Sequence, residues 1–353
     1  MENSAIDRAR ATEFASETTY LNTSTCGLLP RRAVDAVKAL ADDNANGRRQ
    51  GAGSWEAVGA ARATFARLVG VGPGRVAVGG SVAAHVGMIA ASLPPGSEVL
   101  APEGEFSSVV TPFAVRGDLK TRYVPLDELA AAVRPGTAVV ALSAVQSSDG
   151  RIAALDAVRE AAAAHGARTL LDASQSAGWL PLDAGAYDFT VTGAFKFLMC
   201  PRGTSFLTVT EEAQETLPLL FPGMAAAEEP WGSVYGPVER LSADARRFDE
   251  PVSFLAYHGA EQALDLLAGI GIDAVHDHAT GLARRFRQEL ASIGHEAVPG
   301  SSAVVAVPGL GDREPDLAAA GVMVSARAGN LRASFHLYNT EADVDRALDV
   351  LSG

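Results

Sequence analysis

The chain has 353 residues, 48% hydrophobic and 20% charged, an ordinary globular composition with room for two domains or one large α/β domain with an appendage. Its 42 acidic side chains against 29 Lys and Arg leave a net charge of −13, which argues against nucleic acid or an anionic membrane as the main partner. The longest apolar runs are too short to span a bilayer, and two distant cysteines, Cys26 and Cys200, imply neither a disulfide framework nor a zinc site.

In chain order, the first 20 residues are polar and of mixed charge, without the apolar core of a signal peptide, so a reducing, cytoplasmic protein is expected. From about Arg75 to Thr210, short β-rich runs alternate with helical segments. RVAVGG (75–80) leads into the alanine-rich helical SVAAHVGMIAASL (81–93). EVLAPE (98–103), KTRYVPL (120–126), TAVVALSAV (137–145), RTLLDAS (168–174), DFTVTG (188–193) and TSFLTVT (204–210) read as strands. LDELAAAV (126–133) and ALDAVREAAAAHG (154–166) fall between them as amphipathic helices, the second closed by Gly166. Such alternation predicts a mostly parallel sheet covered by helices on both faces.

Beyond Thr210 the rhythm changes. FPGMAAAEEPWGSVYGP (221–237) is a long irregular segment of a kind that usually carries function. Helical patterns at 259–271 and 274–294, short strands and a final helix over 339–353 follow, which together predict a smaller α+β domain. The expected division is residues 1–20 as an N-terminal segment on the small domain, 21–250 as the large domain and 251–353 as the small one.

Ligands of an open α/β sheet bind beyond the carboxyl ends of its strands. Three strand ends carry chemistry there: Asp172, Lys196, and the Gly79-Gly80-Ser81 turn that opens a helix. That turn is an anion site in outline, because the amides of Val82 and Ala83 are unpaired at the positive helix end. Each feature alone has an ordinary structural explanation: an N-cap serine, a turn-capping aspartate, a lysine reaching along its own stem to water. Together they meet the needs of pyridoxal 5'-phosphate, which takes a lysine for its Schiff base, an aspartate for its ring nitrogen and a helix N-terminus for its phosphate.

At this point the chain resembles the class V aminotransferase and cysteine desulfurase superfamily of fold-type I pyridoxal-phosphate enzymes. The landmarks run in family order: YLNTSTCGLLP (20–30), GGSVAAHVGMIA (79–90), LLDASQSAG (170–178), TGAFKFLMCPRGTSFLTV (192–209), ARRFDEP (245–251) and LRASFHLYNTEADVDRAL (331–348). The resemblance implies Lys196 as the Schiff-base lysine and Asp172 as the partner of the ring nitrogen. Gln175 would meet the phenolic oxygen, and Ser81 with the amides of Val82 and Ala83 would hold the phosphate. Arg332 would grip the α-carboxylate of an amino-acid-like substrate, a role its bidentate guanidinium suits. It also implies a homodimer with a shared active site.

Departures from the family pattern bear on the reaction. In EGEFSSVVTPF (103–113), Phe106 stands where many members carry a histidine stacked on the cofactor; it can stack but moves no proton. Gly193-Ala194-Phe195-Lys196 lacks two side-chain phosphate ligands, which Thr192 or Ser253, the latter from a partner subunit, would replace. VSARAGNLRASF (324–335) has no cysteine and no room for a long loop before Arg332, which disfavours persulfide-forming desulfuration. Gln146, Ser147 and Ser148 follow a sheet strand and, with Asn22, are candidate substrate contacts, with a self-satisfied polar loop the competing explanation. Trp55, Trp231 and Tyr235 are loop anchors or residues that complete a partner's site; His85, His258 and His336 are read as structural, and metal binding has no support. The expected activity is aminotransfer through Lys196, with epimerisation or β-eliminating carbon–sulfur lysis as the alternatives and a non-catalytic relative as the remote one.

Overall fold

The computed structural model describes residues 4–353. Helix α1 (Ala5–Glu13) starts at a capping box in which Ser4 and Asp7 satisfy each other's backbone amides. Strand β1 (Thr19–Tyr20) follows, then α2 (Arg31–Ala45) behind Pro30 and α3 (Trp55–Leu68) behind the N-cap Ser54. The sheet region comprises β2 (Val76–Gly79), α4 (Val82–Ala91), β3 (Glu98–Pro102), α5 (Ser107–Ala114), β4 (Lys120–Val124), β5 (Thr137–Ser143), α6 (Leu155–His165), β6 (Arg168–Asp172), β7 (Phe189–Gly193) and β8 (Ser205–Val209). Gly166 ends α6 in the left-handed conformation at φ 68°, as its sequence position predicts.

The seven strands lie in the order β2-β8-β7-β6-β5-β3-β4. All pairs are parallel except those of β8, which runs against both β7 and β2. Two reversals return β2 to the direction of β7, so the strand ends at Gly79, Pro102, Ser143, Asp172 and Gly193 share one edge of the sheet. The alternation of side chains assigns each strand to two layers. Val139 and Ala141 pack with Val86 and Ile89 of α4 and with Val109 and Phe113 of α5. Val140 and Leu142 pack on the opposite face with Val158 and Ala162 of α6.

One predicted helix is absent. Residues 126–133 make a 3-10 turn (Leu126–Glu128) and further turns, because Pro125 and Pro135-Gly136 leave too short a run for a stable helix. Its apolar spacing still has a physical meaning: Leu126, Leu129 and Val133 are all buried in the α6 layer. Conversely α2, α3 and α5 form where the sequence pattern gives no helix; α5 even contains Pro112.

After β8 come the short α7 (Glu211–Gln214) and the irregular segment, then the long α8 (Phe254–Ile270) and α9 (Ile272–Ser292). Strand β9 (Val304–Pro308), α10 (Glu314–Ala319), β10 (Val322–Met323), β11 (Ser325–Arg327), β12 (Asn330–Ser334) and α11 (Glu341–Ser352) complete the chain. Strands β11, β12 and β9 form an antiparallel sheet in that order, while β10 pairs with β1. Phe65 of α3 stacks on Phe206 of β8 at 4.1 Å, inside a core that continues through α8 and α9 to this small sheet. Among the described residues no helix is long and apolar enough to cross a membrane.

A buried ion pair ties α3 to β2 and the segment entering α8. Arg62 meets Asp249 through bonds of 3.0 and 2.6 Å and also donates to Val76 O, while Val78 N donates to Asp249 Oδ1. Removing one partner leaves an uncompensated buried charge. Asp249→Asn should therefore lower the unfolding free energy by about 3 kcal/mol in urea titrations, and a loss below about 1 kcal/mol would show that the pair carries little.

Candidate active site

Lys196 lies in the turn after β7 and is 7% exposed. Its Nζ sits 5.0 Å from the Phe106 ring centroid and 5.9 Å from that of Phe195, and among the described residues nothing hydrogen-bonds it. Burial pushes its pKa down from 10.5 to about 8; the charge of Asp172 opposes this, and Arg332, Arg202 and Arg327 add to it. Only three lysines occur in the chain, and Lys38 and Lys120 are exposed.

The turn is held by close backbone approach. Gly27 N donates to Phe195 O at 2.9 Å, and a Cβ on Gly27 would fall 2.0 Å from Lys196 O. On another side, Gly178, at φ 111°, would place a Cβ 2.3 Å from Phe197 O. Only glycine fits either position. His336 Nε2 lies 2.7 Å from Phe197 O and braces the same segment.

Asp172 ends β6 at 4% exposure and accepts one hydrogen bond, from Ser174 N at 2.7 Å. Burial raises its pKa, with Lys196 and Ser174 opposing and Glu105 adding to the rise. Ser174 Oγ accepts from Gly193 N at 2.7 Å, which locks the ends of β6 and β7 side by side. Phe106 is 41% exposed at the start of α5, its ring turned to Lys196.

Arg332 is 1% exposed on β12. Its Nε donates to Ser325 Oγ at 3.2 Å, Nη1 to Ser147 O and to Ser147 Oγ at 3.1 Å, and Nη2 to Thr25 Oγ1 at 2.9 Å. All these acceptors are neutral. Burial and the neighbouring Arg327 push its pKa down to about 10. A guanidinium buried without a carboxylate is a costly arrangement that an anionic ligand would relieve.

The structure thus brings together Lys196, Asp172, Phe106, Gln175, Ser147 and Arg332. Gln175 differs from expectation in its free atom. Its Nε2 donates to Ser24 O at 3.0 Å and Ser147 Oγ at 3.1 Å, which leaves Oε1 buried and unpartnered. Gln146 is turned away, its Nε2 donating to Glu105 Oε2 at 3.0 Å. Asn22 bridges to Ser334 through its backbone, with Oδ1 buried and unpartnered, and Ser148 O accepts from Asn330 Nδ2 at 3.4 Å.

At the anion end, Ser81 caps α4 with Oγ accepting from Ala84 N at 3.2 Å, and neither Ser81 nor Ala83 is buried. Thr192 Oγ1 is buried without a partner among the described residues. Gly80 N already donates to Glu250 Oε2 at 3.2 Å. Burial lifts the Glu250 carboxyl above its ordinary range, with the Gly80 bond opposing and Asp249 adding to the rise. Ser253 caps α8, its Oγ accepting from Ala256 N at 3.4 Å, and among the described residues it hydrogen-bonds no member of the Lys196 group.

The remaining candidates lie apart. Trp55 packs edge-on against Phe254 at 5.0 Å; Trp231 and Tyr235 are 65% and 94% exposed. His85 Nε2 sits 3.0 Å from Ser205 Oγ, and His258 Nε2 accepts from Ser54 N. Cys200 is buried, which pushes its thiol pKa far up, and Cys26 is half-buried. The β11–β12 connection is a two-residue turn, Ala328 at φ 49° and Gly329 at φ 79°, so it holds neither a cysteine nor a loop.

The residue missed from the sequence is Glu105. Its carboxylate accepts from Phe106 N, Ser143 N, Ser143 Oγ and Gln146 Nε2 at 2.6 to 3.0 Å, and so fixes the backbone under Phe106. Its signal was its place, a buried acid just past the end of β3, in the same row as Asp172.

Pyridoxal phosphate fits most of this donor set. Asp172 is a buried carboxylate without a cation in contact, Lys196 an unbonded buried amine, and the first amides of α4 are open. Gln175 offers an acceptor, not the donor a phenolate requires.

The model of the family described as Aminotransferase class-V matches residues 19–308. A Bacillus subtilis (strain 168) protein described as an uncharacterized aminotransferase, YcbU, is 25% identical over 312 residues, 83% of this chain and 82% of its own length. Isopenicillin N epimerase of Streptomyces clavuligerus is 28% identical over 94% of both chains. Among solved structures, a variant of C-DES with glycine covalently linked to its PLP cofactor has the same fold at TM-score 0.86, with 19% identity over 96% of this chain and 97% of that one.

The lysine supplies a direct physical test. Its folded pKa of about 8 lies below the ordinary 10.5, so the protonation penalty is fully present below pH 8 and is lost as pH rises toward 10.5. Lys196→Met should stabilise the cofactor-free protein at pH 7 by on the order of 3 kcal/mol, with the gain vanishing by about pH 10.5. Equal unfolding free energies of variant and parent at pH 7 would contradict the lowered pKa.

Proposed function

This chain belongs to the class-V aminotransferase family, and on that basis we propose that it is a pyridoxal-phosphate enzyme acting at Cα of an amino-acid-like substrate, most simply as an aminotransferase. The observation that carries the reading is Arg332, a buried guanidinium with neutral partners alone, in one cluster with Lys196 and Asp172. A carboxylate gripped there would exchange the hydroxyl contacts of Ser147 and Thr25 for a bidentate charged pair.

Bound pyridoxal phosphate supplies an electron sink for the charge left at the substrate Cα. Lys196 Nζ would remove and return the proton at that carbon, and a pKa of about 8 lets it exchange a proton near neutrality. Asp172 would keep the ring nitrogen protonated through a hydrogen bond its buried carboxylate now lacks. Ser81, Val82, Ala83 and Thr192 would hold the phosphate, and Phe106, fixed by Glu105, would cover the ring face.

The second reading, epimerisation, draws support from the full-length similarity to isopenicillin N epimerase. Inversion by two bases needs a proton carrier facing Lys196 across the substrate, and Phe106 is not one. This favours chemistry that a single lysine conducts. The exposed Phe221, Trp231 and Tyr235 between β8 and α8 support a homodimer in which that segment meets a second subunit. A cytoplasmic location completes the proposal.

The test is product analysis. Holoenzyme supplied with an amino-acid panel and a keto acid should yield the exchanged keto acid and amino acid. Solvent deuterium at Cα with inversion would instead identify an epimerase, and pyruvate with a released thiol a lyase. Arg332→Lys should lower kcat/KM roughly 100-fold while the cofactor's visible absorbance persists. A wild type that shows no such band after added cofactor would overturn the enzymatic reading.

A further inference from the structure

Three arginines act on Lys196, and the proposed reaction uses one of them. Arg332 answers to the α-carboxylate, and the start of α4 answers to the phosphate. Arg202 and Arg327 are left over. Both are exposed, and among the described residues neither forms an ion pair; Arg327 Nη1 donates only to the backbone Ala326 O, at 2.7 Å.

Their placement is fixed by the fold. The pairing of β11 with β12 sets Ser325 opposite Arg332 and Arg327 opposite Asn330. Alternation along the strands puts Ser325, Arg327, Asn330 and Arg332 on one face of the hairpin. That face is turned toward the loop that carries Ser147 and Ser148, since Arg332 Nη1 donates to Ser147 Oγ and Asn330 Nδ2 to Ser148 O. Arg327 stands one step outward from Arg332 along it, and its charge is felt by both Arg332 and Lys196. The Arg202 guanidinium lies 4.3 Å from the Phe195 ring centroid, and Lys196 Nζ lies 5.9 Å from the same ring. Arg202 is thus held by cation–π contact within about 10 Å of the amine.

We propose that the substrate carries a second carboxylate on its side chain, received at the outer rim of the site by Arg327 with Arg202. This names the substrate class for the reaction inferred above and rests on that reading. A chain with net charge −13 repels a dianion at long range, so the local pair of guanidinium groups is what reverses the sign at the rim. Guanidinium groups are also the side chains best matched to a carboxylate in geometry.

Diacids without an amino group test this apart from catalysis. Succinate, glutarate and adipate, each against its own monoamide, would be titrated into the holoenzyme by calorimetry. At least one diacid should bind about tenfold or more tightly than its monoamide. Arg327→Gln should remove most of that preference and leave the monoamide affinity unchanged, and Arg327→Gln with Arg202→Gln should abolish it. Equal binding of diacid and monoamide at every length, or a preference that survives the double variant, overturns the inference. If amino acids still perturb the cofactor band in that case, the reading of the reaction stands. A diacid preference in an enzyme that turns over no amino acid would support the rim and sink the reaction.

Discussion

The placement of one amine away from water and away from any carboxylate contact is the constraint on which the rest of the site depends. Lys196 is buried between Phe106 and Phe195, and the nearest counterion acts on it only through space. Desolvation disfavours its charged form more than Asp172 favours it, so the amine is poised near 8. The opposite face of the same bargain is Asp172, whose carboxyl is lifted by burial. Each group is uncomfortable alone, and each is suited to a cationic ring placed between them.

Backbone architecture enforces this discomfort. The backbone of Lys196 is fixed, because its turn is clasped by Gly27 and Gly178 at distances that admit no side chain, and His336 supports the next carbonyl. Ser174 stitches β6 to β7 just below. Glu105 does the same for β3 and β5, spending a buried carboxylate on four hydrogen bonds so that Phe106 faces the lysine. Gly193, Ala194 and Phe195 beside Lys196 leave an apolar surrounding, and burial there lowers the amine's pKa.

Much of this was legible in the chain. Apolar runs ending in Asp172 and just before Lys196 announced parallel strands whose carboxyl ends meet, and Ser81 after two glycines announced an open helix start. The features that escaped share a cause: they depend on contacts between distant segments. Leu126, Leu129 and Val133 have helical spacing but sit in turns, since burial in the α6 layer requires the spacing without the helix. Gln146 looked like a substrate contact and is instead claimed by Glu105, 41 residues away. Gln175 lies against Ser147, and its amide donor is consumed by Ser24 and Ser147. Glu250 reaches Gly80 across 170 residues, and no local pattern could foretell a carboxyl at that helix start.

With three lysines in the chain, the proposal that Lys196 alone carries the cofactor can be tested in one experiment. Holoenzyme reduced with borohydride, digested and mapped by mass spectrometry should carry a phosphopyridoxyl group on the peptide containing Lys196 and on no other. Label on Lys38 or Lys120, or a Lys196→Ala variant labelled as fully as the parent, would contradict that role for Lys196.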